Sequence, residues 1–176
     1  MRSFLLISAA IQAVLALRRE GQVDSVYPLP SPHFTLAELT TTGTGLPNVP
    51  NASQKANLGR LAYEILEPLR NQFGPILITS GFRSSAVNRK VGGTTNPPSA
   101  HLDGRAADLY SMAGKKAATM AAWLYGQRLL PIRQVIVENH TGHLHLELQP
   151  AGQTPKRQFL FTDDGSTYQP WSLANV

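Results

Sequence analysis

The chain has 176 residues, of which 42% are hydrophobic and 15% are charged, values that fit one folded domain with its own core and exclude wholesale disorder. It contains no cysteine, so disulfide bonds and thiolate metal ligands are excluded, and any metal must be held by His, Asp or Glu. The formal net charge of +5 favours an anionic partner. The basic residues are scattered and not interleaved with aromatic ones, so we do not expect nucleic-acid binding.

The N-terminus combines one basic residue with a short apolar segment. Arg2 precedes residues 4–17, a run interrupted only by Ser8 and Gln12. This pattern is typical of a secretory signal with a small-residue cleavage site near Ala16, although an amphipathic or buried N-terminal helix has the same pattern. The run is too short to cross a bilayer comfortably, so we expect membrane contact only through this leader.

The composition divides the chain into three parts. Residues 22–31 are polar and interrupted by proline, which predicts a linker. We therefore expect a leader and linker at residues 1–32, a folded domain at 33–150, and a C-terminal extension at 151–176 that packs on the domain or trails it.

The spacing of apolar residues predicts several helices and strands in chain order. A capping box at Thr35 to Glu38 predicts the start of a short helix. Apolar residues at helical spacing and alternating or β-branched runs predict the following elements: helices at 54–73 (interrupted at Pro68) and 115–130, a helical turn at 85–90, and strands at 76–79, 106–110, 133–138 and 143–149. The last two strands flank a turn-like segment and predict a hairpin, and we expect at most one strand, residues 158–161, in the tail.

Four of the five histidines lie in two short windows, residues 99–108 and 140–147, and both windows adjoin predicted strands. Side chains at alternate positions of a strand share a face, so His143, His145 and Glu147 are expected on one face. A turn at Asp103-Gly104 would let His101 fold back over Asp108.

Imidazole nitrogen and carboxylate oxygen are ligands that Zn²⁺ accepts, and three protein ligands leave one position for water. The two windows therefore predict a catalytic zinc site built from His101, Asp108 and one histidine of the His143/His145 pair. Taken singly, each of these residues is more often structural, as a satisfied buried histidine or an ion-paired aspartate.

Two segments carry a resemblance to a known family. Ser80-Gly-Phe-Arg83-Ser and Ser99-Ala-His101-Leu-Asp-Gly-Arg-Ala-Ala-Asp108 resemble the signature of zinc D-Ala-D-Ala carboxypeptidases and related peptidoglycan L-Ala-D-Glu endopeptidases. These enzymes belong to the metallopeptidase superfamily that includes lysostaphin and hedgehog proteins, and the resemblance runs from about Phe34 to Leu148. It implies an α+β fold, a small antiparallel sheet with flanking helices, and one Zn²⁺ in a cleft across the sheet.

The implied function is hydrolysis of the stem peptides of bacterial cell-wall peptidoglycan. The enzyme would be a monomer that is exported to the periplasm or cell wall, or a phage-encoded endolysin or virion-associated protein directed at the wall. Two alternatives remain: a zinc-containing wall-binding module without catalysis, and a virion structural protein without metal.

The resemblance also implies roles for individual residues. His101 and Asp108 become zinc ligands, and Arg83 and Ser99 become substrate-binding residues. In phage-type relatives the closing strand reads aromatic, any residue, histidine, which aligns His145 with the third ligand and leaves His143, on the same face, to support the ligands or to face the substrate.

The general base is the least determined residue of the predicted site. Many members carry an acid three positions before the last histidine ligand, where this chain has Gly142. In the phage-like subgroup an acid ends the preceding strand, which makes Glu138 the candidate here and Glu147 the fallback. Either one is otherwise an ordinary solvent-facing strand carboxylate.

Overall fold

A computed structural model describes residues 27–175. The α-helices in this part of the chain are α1 (Leu36–Thr40), α2 (Ala52–Leu61), α3 (Glu67–Phe73), α4 (Ser85–Lys90) and α5 (Ala117–Gly126). The strands are β1 (Ile76–Ser80), β2 (Ala106–Ser111), β3 (Ile132–Glu138), β4 (His143–Leu148), β5 (Gln158–Thr162) and β6 (Gln169–Pro170). Short 3₁₀ helices lie at Ala100–Asp103 and Leu173–Asn175.

The long helix predicted around Pro68 forms as three consecutive segments. Helix α2 leads into a π-helical segment at Ala62–Leu66, in which the N–H of Glu67 bonds to the carbonyl of Ala62, five residues earlier. Pro68 follows at the start of α3, and because proline has no N–H it cannot donate the next helical hydrogen bond. The predicted interruption therefore takes the form of a widened helical turn just before the proline.

The six strands form one sheet in the order β1-β2-β4-β3-β5-β6. Neighbouring strands are antiparallel except for β3 and β5, which run parallel. The predicted α+β fold with a small antiparallel sheet and flanking helices is confirmed.

Two element predictions were wrong. The tail contributes two strands where at most one was expected, because β6 is only two residues long and leaves no alternating pattern in the sequence. The predicted helix ending at residue 130 instead ends at Gly126, because glycine has a low helix propensity, and residues 127–130 form a turn before Pro131.

The sheet has one apolar and one polar face. Leu144, Leu146 and Leu148 are completely buried in the core that the sheet forms with the helices. Because side chains alternate along a strand, His143, His145 and Glu147 lie on the opposite face. That polar face carries the residues predicted to be functional.

The segments flanking the predicted domain make contacts with it. Tyr27 and Ser31, from the end of the predicted linker, are buried, and the C-terminal extension supplies β5 and β6. Residues 1–26, which include the predicted leader, lie outside the described residues, and the domain boundaries stay a prediction. Between residues 27 and 175, every helix is too short or too polar to span a bilayer.

Candidate metal centre

Three of the predicted residues meet on the polar face of the sheet. One ligand atom from each of His101, Asp108 and His145 lies within 4.8 Å of the others. Asp108 Oδ1 is 3.3 Å from His101 Nε2 and 2.7 Å from His145 Nδ1. The side chains of His101, Asp108 and His145 are 2%, 14% and 11% exposed, respectively. The cluster is therefore largely shielded from water but still accessible to it.

The backbone just after strand β1 orients the His101 side chain. It belongs to a 3₁₀ helix that is capped by the Ser99 hydroxyl, which accepts a hydrogen bond from the His101 N–H. Its ring Nδ1 lies 2.6 Å from the carbonyl oxygen of Gly81. Because a carbonyl only accepts, Nδ1 carries the proton and Nε2 presents its lone pair to the cluster.

Helix α2 holds the His101 loop from the other side. The side-chain amides of Gln54 and Asn57 donate to the carbonyls of Leu102 and Asp103, each at 2.9 Å. Gly104 ends the loop with a φ of +69°, and a Cβ there would lie 2.6 Å from the Gln54 carbonyl oxygen. A glycine is therefore required where the loop crosses the helix.

Asp108 and His145 owe their contact to strand register. They are direct partners on the antiparallel strands β2 and β4, so their side chains project from the same face. The sequence predicted that both windows adjoin strands, but it gave no register between the strands.

Arg83 contacts a predicted metal ligand directly. Its Nη2 donates to Asp108 Oδ2 at 2.5 Å, and its Nε donates to the Ser80 hydroxyl at 2.8 Å. The guanidinium thus fixes the Asp108 oxygen that faces away from the histidines. The proposed role of Arg83 in binding substrate stays a prediction, and the structure adds its contact with Asp108, which sequence reasoning missed.

His143 lies on the same face but outside the cluster. Its ring stacks on that of Tyr110, with centroids 5.6 Å apart and planes 5° from parallel. Of the two histidines that the sequence left open, His145 is therefore the one that the structure brings to His101 and Asp108. A substrate contact by His143 or Ser99 stays a prediction.

The two candidate bases have different surroundings. Glu138 is the cross-strand partner of His143, is partly exposed, and accepts a hydrogen bond from the Thr141 hydroxyl at 3.2 Å. Glu147 is buried between His145, whose Nε2 lies 3.3 Å from Glu147 Oε1, and Arg133, which donates to Glu147 Oε2. Both Glu147 oxygens thus have protein partners, which favours Glu138 as the base.

Electrostatics in the cluster favour bound positive charge. Burial opposes ionisation of Asp108, but the charges and hydrogen bonds of His101 and His145 overcome it and hold the pKa of Asp108 well below its ordinary value. Burial likewise lowers the pKa of His145, yet hydrogen bonds and charges from Asp108 and Glu147 raise it to about 10. Two imidazoles and a carboxylate in such a negative environment fit a divalent zinc ion, which would take the place of the imidazolium proton.

Sequence reasoning also missed a residue from the C-terminal extension. Burial and the negative charges of Glu138, Asp164 and Asp108 raise the pKa of the Tyr168 phenol, so this tyrosine interacts electrostatically with carboxylates of the polar face. Nothing in the sequence indicated this interaction, because Tyr168 lies in a loop without a periodic pattern.

Comparison with known proteins adds an independent observation. A family model described as peptidase M15 matches residues 32–147, more than half of the chain, and these residues include the whole His101, Asp108 and His145 cluster. A search among curated proteins found no match.

Proposed function

This chain belongs to the peptidase M15 family, and from that premise we propose that it is a zinc-dependent peptidase that hydrolyses the peptides of bacterial cell-wall peptidoglycan. Peptidases of this family are zinc-dependent metallopeptidases. The cleavage would be of the D-Ala-D-Ala carboxypeptidase or the L-Ala-D-Glu endopeptidase type. The protein would act as an exported or phage-encoded, wall-directed enzyme, and its formal net charge of +5 suits an anionic wall.

The observation that carries this proposal is the convergence of His101, Asp108 and His145. Their ligand atoms lie within 4.8 Å of one another, although the residues come from a loop and two strands. A bound zinc ion would polarise the scissile carbonyl and lower the pKa of the attacking water. Three protein ligands match the ligand number of catalytic rather than structural zinc sites.

The other proposed roles belong to residues around the cluster. Glu138 takes the proton of the attacking water and delivers it to the leaving amine, which is the function of a general base and acid. Its position opposite His143 sets the carboxylate on the same face of the sheet as His145. Arg83 keeps Asp108 in place and presents its remaining N–H groups to the substrate.

A cavity beside Arg83 offers space for part of the substrate. It has a volume of about 270 Å³ and its lining combines hydroxyl and apolar groups, among them Thr42, Thr44, Thr79, Phe82 and Val87. Hydroxyl groups can bond the peptide backbone while the apolar side chains accept a small side chain such as a methyl group. The cavity therefore supports a short peptide as substrate.

Digestion of purified peptidoglycan, followed by mass spectrometry of the released muropeptides, tests the proposal. We expect cleavage that a chelator abolishes and zinc restores, and the product masses identify the scissile bond. His101→Ala should remove both zinc and activity. Glu138→Gln should retain zinc at one equivalent while the cleavage rate falls at least about 100-fold, the usual contribution of a general base.

Glu38→Gln is the matched control, since Glu38 lies in α1 and belongs to none of the proposed roles. Zinc-loaded protein that binds peptidoglycan without releasing any fragment would contradict the peptidase and favour the wall-binding alternative. A purified chain that takes up no zinc would contradict both.

A further inference from the structure

The proposed ligand His145 has a polar contact on each of its two ring nitrogens. Nδ1 faces Asp108 Oδ1 at 2.7 Å, while Nε2 faces Glu147 Oε1 at 3.3 Å. We propose that Glu147 is a positioning residue that holds the proton of His145 on Nε2, so that Nδ1 presents its lone pair to the metal. This inference rests on the proposed metal site but does not depend on the peptide substrate.

The tautomer of a histidine decides which of its two ring nitrogens can bind a metal. A neutral imidazole carries one proton, and only the other nitrogen can bind a metal. A proton on Nδ1 would point into the cluster and block it. When a metal displaces the proton from Nδ1, the proton that remains on the ring is on Nε2, and the Glu147 carboxylate stabilises it there because an ionised carboxylate only accepts hydrogen bonds.

Strand geometry makes the contact with Glu147 specific. Residues 145 and 147 are separated by two positions on β4 and therefore share a face. Glu147 is only 7% exposed, so its carboxylate rather than bulk water is the acceptor available to Nε2.

Arg133 holds the second oxygen of Glu147. The register between β3 and β4 shifts between Ile132 and Gln134, which pair with Leu148 and Glu147. Arg133 is the extra residue in this irregularity, and such bulges redirect a side chain relative to the regular alternation. The guanidinium thereby reaches Glu147 Oε2, leaving Oε1 for His145.

The two proposed histidine ligands are thus oriented by different means. His101 donates to a backbone carbonyl, that of Gly81, whereas His145 donates to a side chain. Acceptors behind a metal-bound histidine fix the ring orientation, and their removal weakens metal affinity by about 10-fold to 100-fold. Only the contact at His145 can be removed by a single side-chain substitution.

The test measures the zinc dissociation constant by competition with a chromogenic chelator, without any peptide substrate. We expect Glu147→Ala to weaken zinc binding by about 10-fold to 100-fold. Glu147→Gln keeps the shape of the side chain but offers a single acceptor oxygen, which the positively charged Arg133 takes, so zinc affinity should fall here as it does in Glu147→Ala. Gln134→Ala is the control, because Gln134 is the cross-strand partner of Glu147 and its side-chain amide donates to Oε1 of Gln158.

A second readout reports the tautomer itself. Nitrogen NMR of the zinc-loaded wild type should show the His145 proton on Nε2. This proton should exchange slowly with solvent in the wild type and fast in Glu147→Ala. If Glu147→Ala does not fold, Glu147→Asp keeps the charge for Arg133 but withdraws it from Nε2, and it should lose zinc affinity in the same way.

Unchanged zinc affinity in the folded Glu147→Ala or Glu147→Asp variant would overturn the inference while leaving the peptidase proposal intact. Conversely, wild-type protein that binds zinc and cleaves nothing would refute the peptidase alone.

Discussion

Gly81 connects the packing of the fold to the orientation of a proposed metal ligand. Its carbonyl oxygen accepts from His101 Nδ1 at 2.6 Å, and a Cβ at this position would lie only 2.2 Å from the Leu39 carbonyl oxygen. The neighbouring Phe82 N–H bonds to that same Leu39 oxygen, so the backbone cannot move away without losing a hydrogen bond. The absence of a side chain at residue 81 is therefore a structural requirement of the site.

We expect Gly81→Ala to lower the free energy of unfolding by about 1–3 kcal/mol, the usual cost of inserting a methyl group into a filled space. Because the strain acts where His101 is anchored, zinc affinity should fall as well. Chemical denaturation and chelator competition measure the two effects. Gly126→Ala is the control, since a Cβ at Gly126 meets no atom within 4 Å. Equal stability of the two variants would show that the backbone at Gly81 can relax.

Individual residues also show how far the sequence determined the site. His101 and Asp108 were predicted from a sequence motif. Such a motif is local, because it consists of residue types at fixed positions in one loop and the strand that follows it. The contacts of Arg83 with Asp108 and of Glu147 with Arg133 were not predicted, since they depend on the register of β1 with β2 and of β3 with β4. Register arises from packing across the whole sheet, and a local pattern does not contain it.

Helices and strands also differ in whether the sequence alone predicts them. Helix α2 and strands β1 to β4 were predicted because their apolar residues repeat at 3.6 or 2 positions. Strand β6 and the π-helical segment Ala62–Leu66 were not, since two residues carry no period and a π turn differs from an α turn by one residue. Both are adjustments that tertiary contacts impose on otherwise regular elements.

Residues 31–33 are attached to α3 through one buried carboxylate. Glu67 Oε1 accepts from the Ser31 hydroxyl at 2.6 Å and from the His33 N–H at 2.8 Å, and Oε2 lies 2.7 Å from His33 Nδ1. Burial raises the pKa of Glu67, but the hydrogen bonds and charge from His33 and the bond from Ser31 outweigh burial and lower it below 4.5. The ionised form is therefore the one that stabilises the fold.

A carboxyl whose pKa is depressed on folding stabilises the protein above its unfolded pKa, and that contribution is lost as the pH falls through the folded value. We expect Glu67→Gln to reduce the free energy of unfolding at pH 7 by about 1.5–3 kcal/mol, the range for hydrogen bonds to charged groups. The difference between wild type and variant should shrink below about pH 4.5. Denaturant titrations from pH 3 to 7 measure this difference in the free energy of unfolding, with Glu38→Gln as the control. A difference that does not depend on pH would contradict stabilisation by the ionised form of Glu67.

The molecule as a whole extends beyond the part that matches the family model, which ends at residue 147. The C-terminal extension adds β5 alongside β3, and Phe159 and Trp171 from this extension are buried in the common core. Without β5, strand β3 would be an exposed edge of the sheet. The pKa of Tyr168 in this extension is raised by burial and by Glu138, Asp164 and Asp108, so the extension belongs to the folded unit and is coupled electrostatically to the polar face.

Zinc should stabilise the entire fold, because its proposed ligands come from two windows, residues 99–108 and 140–147, that are distant in the chain and meet only in the native sheet. A ligand present at 100 times its dissociation constant stabilises the native state by about 2.7 kcal/mol. For a protein of this size, about 2–4 °C per kcal/mol gives a rise in Tm of about 5–11 °C. Differential scanning calorimetry with zinc and with chelator measures this rise.

The rise should depend on pH in a defined direction. In the absence of metal, Asp108 and Glu147 raise the pKa of His145 to about 10, so a proton must leave that ring when zinc binds. Raising the pH from 6 to 8 makes the release easier, and the zinc-dependent increase in Tm should grow accordingly. His101→Ala should show little increase at either pH because one of three ligands is missing. An equal rise in His101→Ala and wild type would mean that zinc binds elsewhere on the protein.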